Sequence, residues 1–223
     1  MNIRELLPPG LLSHHRAPAN ARGTWYEIRN RAADDRVIVD LYDVIGDWGI
    51  PASQFVRDLR AIDAPIIELH INSPGGMIYD GLAIYNALMD HPARVEAIVD
   101  GIAASAASWI FQAAELRSMN RHTELFIHDG LAFTIGNEQD HLATAADLGR
   151  LSTTIAEIYA GRAGGTVDEW RDAMRAETTY LAQAAVDAGL ADETVTEDGE
   201  ESNIAPRTQL VTARARAHSG KAP

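Results

Sequence analysis

Residues 94–108 read RVEAIVDGIAASAAS. The first seven have the β-branched, apolar character of a strand, and the strand runs directly into glycine, alanines and two serines. If the strand ends at Asp100 and a helix begins near Ala103, Ser105 lies in the first helical turn, where unpaired N–H groups and the positive end of the helix dipole favour an anion. An alkoxide or oxyanion would gain from that place. Ala103, Ala104, Ala106 and Ala107 are small enough to let a polypeptide lie against the turn. Taken alone, the stretch is better explained as a tightly packed Ala/Ser helix start.

Outward from this stretch the hydrophobic period changes repeatedly. RVIVDLY (36–42) and PIIELHI (65–71) read as strands, and SQFVRDLRAI (53–62) reads as a helix with a capping serine and Phe55, Val56, Leu59 and Ile62 on one face. NSPGG (72–76) is a turn, after which Ile78, Leu82, Tyr85 and Met89 recur at helical spacing. ASWIFQAA predicts a helix and TELFIHD (123–129) a strand. A long helix is predicted from about Glu138 to Ala163, with Leu148, Leu151, Ile155 and Ile158 as its stripe. TVDEWRDAM carries a capping box, Thr166 with Glu169, and AQAAVDAGLAD predicts a short helix stopped at Gly189. Alternating strands and helices define an α/β class built from βαβ units with a mostly parallel sheet. Residues 1–23 and 196–223 lack this periodicity and are expected to be tails, leaving one domain over 24–195.

The composition limits the chemistry. With 32 acidic against 19 basic residues the formal charge is −13, which disfavours nucleic acid and anionic membrane as partners. There is no cysteine, so disulfides and thiolate metal sites are excluded and a nucleophile must be another residue. Pro8 and Pro9 interrupt the one N-terminal apolar stretch, and no run approaches a membrane span; a soluble, cytoplasmic protein is expected.

A serine nucleophile needs a base, and a base needs an orienting acid. His14, His15 and His218 fall in the tails, His91 in a loop, His122 at a strand start and His141 at an exposed helix start. His70, on a strand of buried type, is expected in the core. His128, at the end of the LFIH strand, is the best-placed base. The pattern leaves Asp129, Asp172, Glu177 and Asp187 open as the acid. The two glycines of NSPGG give a second strand-end turn whose backbone N–H groups are approachable.

Taken in order, INSPGG, GLAIYNAL, DGIAASAAS, FIHDG and ETTYLAQAAVDAGLAD resemble the ClpP family of serine peptidases over residues 36–195, most of all its branch of phage and prophage head maturation proteases. The resemblance implies the ClpP/crotonase spiral fold with a protruding handle helix over 138–163. It also implies Ser105 as nucleophile, His128 as base, Glu177 as acid where the family has aspartate, and the N–H groups of Gly76 and Ala106 as oxyanion hole. No metal or organic cofactor is implied. The implied partners are polypeptide substrates, copies of the chain in a heptameric or tetradecameric ring, and an AAA+ unfoldase or phage capsid and scaffold proteins. The N-terminus departs from the family's axial loop. The alternatives are a housekeeping proteolytic subunit that degrades unfolded proteins and, in another class, an inactive ring or assembly subunit.

Overall fold

Eight strands hydrogen-bond into one sheet in a computed structural model that describes residues 24–31, 35–46 and 51–195; the expected tails, 1–23 and 196–223, lie outside the described residues. β1 (Tyr26–Arg31) runs antiparallel to β2 (Arg36–Tyr42). From β2 the sheet continues in parallel through β3 (Ile66–Ser73), β4 (Arg94–Ala104), β5 (Leu116–Asn120) and β8 (Glu193–Val195). β6 (Glu124–Phe126) pairs in parallel with the far end of β4, and β7 (Thr179–Leu181) pairs antiparallel with β6. The mixed α/β, mostly parallel architecture is the one expected from the alternating periods.

β4 decides the geometry of the site. Glu96–Val99 pair with β5, whereas Ile102–Ala104 pair with β6, so the strand changes neighbour at Asp100–Gly101. On its other side the register jumps from Ile71↔Val99 to Ser73↔Ala103, a bulge in which Asn72 Oδ1 accepts the Ile102 N–H at 3.3 Å. The strand therefore runs four residues beyond the expected end at Asp100. The next helix, α3 (Ala106–Phe111), starts at Ala106 instead of Ala103, which moves Ser105 from the first helical turn to the N-cap.

α1 (Ala52–Arg60) and α2 (Ile78–Met89) pack on each other and share one core with β2, β3 and β4. The N-cap of α1 is Pro51, with no side-chain cap bond, so Ser53 lies inside the helix and does not cap it. Phe55 and Leu59 are buried as expected, each contributing roughly 2 kcal/mol. α2 buries Gly81, Ile84, Ala87 and Leu88, a face turned from the expected stripe, and leaves Met89 exposed. The cause is Gly81, which packs so closely on α3 that a Cβ there would meet Ala106 and Trp109 at about 3 Å.

α4 (Glu138–Ala163), α5 (Val167–Arg175) and α6 (Ala182–Asp187) are the remaining helices among the described residues. The Thr166/Glu169 capping box of α5 is formed in both directions. Every buried residue of α4 (Leu151, Ser152, Ile155, Ala156, Tyr159) lies in its second half; residues 138–143 at its start are all exposed, and Thr144 hydrogen-bonds Thr134. Leu151 and Ile155 of the apolar stripe are thus spent on the chain's own core.

His70 is not a core residue. Its side chain is 21% exposed on the open face of the sheet, where Nδ1–H donates to Asp100 at 2.8 Å and Nε2–H to Glu68 at 3.1 Å. Tyr42 and Asn120 also donate to Asp100. The Asp100 bond, opposed by burial and aided by Glu68, raises the His70 pKa to about 9. Burial works to raise Asp100 and Glu68, but the bonds from His70 prevail and both are lowered. A histidine raised in the folded state adds stability in full below its unfolded value of about 6.5, and the contribution disappears as pH climbs through 9; the two carboxylates lose theirs as pH falls through the acid range. The cluster should thus stabilise most between roughly pH 4.5 and 6.5. Urea midpoints are expected to fall from pH 6.5 to 9.5 by an amount equivalent to at most about 3 kcal/mol, and to stay flat in His70→Gln. A wild-type curve as flat as the variant's would remove this role.

Candidate active site

Ser105 sits between β4 and α3 with φ 51° and ψ −125°, a conformation that costs a non-glycine residue about 1–3 kcal/mol. Bonds on both sides hold it there. Its N–H donates to the Phe126 carbonyl of β6 at 3.0 Å, and its own carbonyl accepts from the Ser108 N–H at 2.9 Å and the Ser108 hydroxyl at 2.5 Å. Ser108, fully buried, also bonds the Tyr159 hydroxyl of α4 at 2.6 Å, so the second serine of the stretch is a strut. Ser105 is 6% exposed and lines a cavity of about 310 Å³ together with His128, Gly76, Trp109, Leu131 and Leu148. A larger hollow, between Arg36 and Asp63, holds neither.

The glycine turn meets the serine turn directly. Gly75 has φ 96°, and a Cβ on it would lie 2.7 Å from Ala104 O, Ala106 N and Ser105 Cβ. Ser73 pins the turn from below by donating to Asp43 O and accepting the Gly75 N–H. Ile45 N–H bonds the Gly75 carbonyl at 2.9 Å, so that contact does not use the Gly76 N–H. Ala106 opens α3, where helix geometry supplies no intrahelical acceptor for its N–H. The two expected donors, Gly76 and Ala106, therefore belong to two turns in van der Waals contact.

His128 is 8% exposed and stacks on Phe126, with ring centroids 5.4 Å apart. Its Nδ1–H donates to the Asp129 carbonyl at 2.5 Å, while Nε2 is buried and has no partner among the described residues. Burial lowers its pKa, against the opposing effects of that bond and the charges of Glu177 and Asp129. The ring is therefore neutral at pH 7, with the Nε2 lone pair available.

The four carboxylates left open by the sequence now separate. Asp129 is clamped by both Nη atoms of Arg171, Asp172 pairs with Arg175 at 2.7 Å, and Asp187 accepts from Gln183 at 3.0 Å. Glu177 stands just past α5 at φ 51°, held by a bond from its N–H to Met174 O, and its carboxylate bonds none of the described residues. It acts on His128 through its charge, with no hydrogen bond to the ring. The Arg171–Asp129 pair and the Ser108–Tyr159 strut were not visible in the sequence, because each joins segments more than 40 residues apart. Among the described residues no cluster of histidine and acidic side chains could hold a metal ion, and no helix is long and apolar enough to cross a membrane.

A parallel sheet that brings a strained serine and a buried neutral histidine to one cavity suits an α/β serine hydrolase. The Clp protease family profile matches residues 20–198, and the chain belongs to that family, whose members of the proteolytic-subunit type are serine peptidases. It is 28% identical over 187 residues to the ATP-dependent Clp protease proteolytic subunit of Chlorokybus atmophyticus, covering 82% of each chain. It is 31% identical over 173 residues to the protein of that name from Ligilactobacillus salivarius, covering 75% of this chain and 86% of the relative. The Bacteroides fragilis protein is 34% identical over 130 residues, 57% of this chain and 62% of that one.

Proposed function

We propose that the chain is a ClpP-like serine endopeptidase in which His128 Nε2 takes the Ser105 proton as Oγ attacks a peptide carbonyl. Glu177 then stabilises the imidazolium, and the N–H groups of Gly76 and Ala106 hold the oxyanion, each contributing about 3–4 kcal/mol to the lowered barrier. Protonated His128 gives its proton to the departing amine, and water releases the acyl group by the same steps in reverse. The observation that carries this reading is the shared cavity of Ser105 and a neutral His128 with a free Nε2. A fluorophosphonate should label the protein at Ser105, located by mass spectrometry of the peptide; labelling elsewhere would overturn the assignment.

Of the acids, Glu177 is the one with an uncommitted carboxylate. Glu177→Gln is expected to lower peptidase kcat by roughly 10²-fold or more and Asp172→Asn by less than twofold, both read on a fluorogenic peptide. Equal activities would take Glu177 out of the triad.

The substrates are polypeptides, and the working particle is a ring of copies, a heptamer or a tetradecamer. The exposed start of α4, with Leu142 on it, and the exposed Leu131, Phe133 and Ile135 that precede it support such an assembly. The order INSPGG, DGIAASAAS and ETTYL favours processing of phage capsid or scaffold chains in the bacterial cytoplasm. The names of the relatives favour a second reading, a subunit that works with an AAA+ unfoldase. Neighbouring portal and capsid genes would select the first, and a neighbouring unfoldase gene the second.

A further inference from the structure

The ring of His128 is held by a main-chain carbonyl. Nδ1–H points at Asp129 O, and the same residue's carboxylate receives two N–H groups of Arg171 from α5. Arg171 is itself only 8% exposed. A buried guanidinium needs a fixed acceptor, and here the acceptor is the residue whose peptide unit orients the ring. We propose that the Arg171–Asp129 ion pair positions His128: acting beside the bond from the Gly130 N–H of the same peptide unit to Ser152 Oγ, it fixes the Asp129 peptide and so keeps the proton on Nδ1 and the lone pair on Nε2, facing the Ser105 cavity.

This rests on the reading of His128 as the base, and it divides the acid's usual work between two groups. The Asp129 carbonyl orients the ring and sets its tautomer. Glu177, which carries charge but makes no bond to the ring, compensates the imidazolium when it forms. Both reach the site from one element, since Arg171 lies on α5 and Glu177 follows its end. Phe126 stacks on one face of the ring, which opposes its rotation about the Cβ–Cγ bond. A loosened Asp129 peptide would then release the ring to the other tautomer, with the proton on Nε2 and no lone pair for the Ser105 hydroxyl.

Histidine-selective ¹⁵N NMR tests the tautomer directly, with His128 assigned by its absence in His128→Gln. Wild type should show the Nδ1–H tautomer, while Arg171→Met and Asp129→Asn should show a mixture. The same two variants should lose roughly 10- to 100-fold in kcat on a fluorogenic peptide at unchanged KM, with Arg171→Lys recovering most of it. Should Arg171→Met fail to fold, Asp129→Asn, which keeps the shape and removes the charge, decides alone. Variants that keep both the wild-type tautomer and wild-type kcat would overturn the proposal, as would an Nε2–H tautomer in the wild type. An unlabelled Ser105 in a protein that still shows the Arg171-dependent tautomer would instead overturn the serine peptidase reading and leave the clamp standing.

Discussion

Ser105→Ala is expected to lower peptide hydrolysis by roughly 10⁴- to 10⁶-fold and to leave the fold intact. The loss is large because nothing beside Ser105 can substitute for it. Ser108, the only other serine of the stretch, is fully buried and bonded to both the Ser105 carbonyl and Tyr159, so its oxygen is committed and out of reach. The fold should tolerate the change because the bonds that hold position 105 are main-chain bonds, from its N–H to Phe126 O and to its carbonyl from Ser108. Alanine keeps them. Turnover of a fluorogenic peptide and the thermal midpoint, measured together, check both halves. Ser108→Ala should show the opposite pattern, losing about 1–3 kcal/mol of stability by leaving the buried Tyr159 hydroxyl short of a partner. A Ser105→Ala protein that still hydrolyses peptides would end the proposed mechanism.

The parts of this molecule that could be read from the chain are those set by neighbours in sequence. The 26-residue α4 emerged at its expected ends because Asn137 and Asp140 cap its start and Gly164 ends it. The Thr166 box is equally local. Ser105 and His128 could be singled out as candidates because a strand-end turn of small residues and a histidine at the end of an apolar strand are each short patterns. The errors came where distant segments decide. Nothing within residues 94–108 says that β4 stays extended to Ala104; the pairing with β6, twenty residues on, does that. β5, β7 and β8 are three to five residues long and exist only as partners of other strands, so no periodicity announced them. His70 looked like core because Leu69 and Ile71 beside it are core, yet alternation turns it to the face where Glu68 and Asp100 wait. The four candidate acids could be separated only by what each already binds.

Gly75→Ala is expected to damage both stability and turnover, and Gly164→Ala stability alone. Both glycines have a positive φ, 96° at Gly75 and 84° at Gly164, so each substitution incurs the strain of an L residue there, about 1–3 kcal/mol. Their surroundings differ. A Cβ at Gly164 meets nothing within 4 Å, whereas one at Gly75 lies 2.7 Å from Ala104 O, Ala106 N and Ser105 Cβ. Two of those atoms are backbone and cannot swing aside, so the glycine turn must retreat from the serine turn, at a further cost of about 1–3 kcal/mol. The retreat separates the Gly76 and Ala106 N–H groups that are proposed to share one oxyanion. Losing the alignment of even one such donor lowers kcat by roughly 10²- to 10³-fold. Urea denaturation of both variants supplies the common strain, and the difference between them isolates the contact. If Gly75→Ala were destabilised more than Gly164→Ala and yet turned over peptide at the wild-type rate, the two turns would be packed together without jointly forming the oxyanion site.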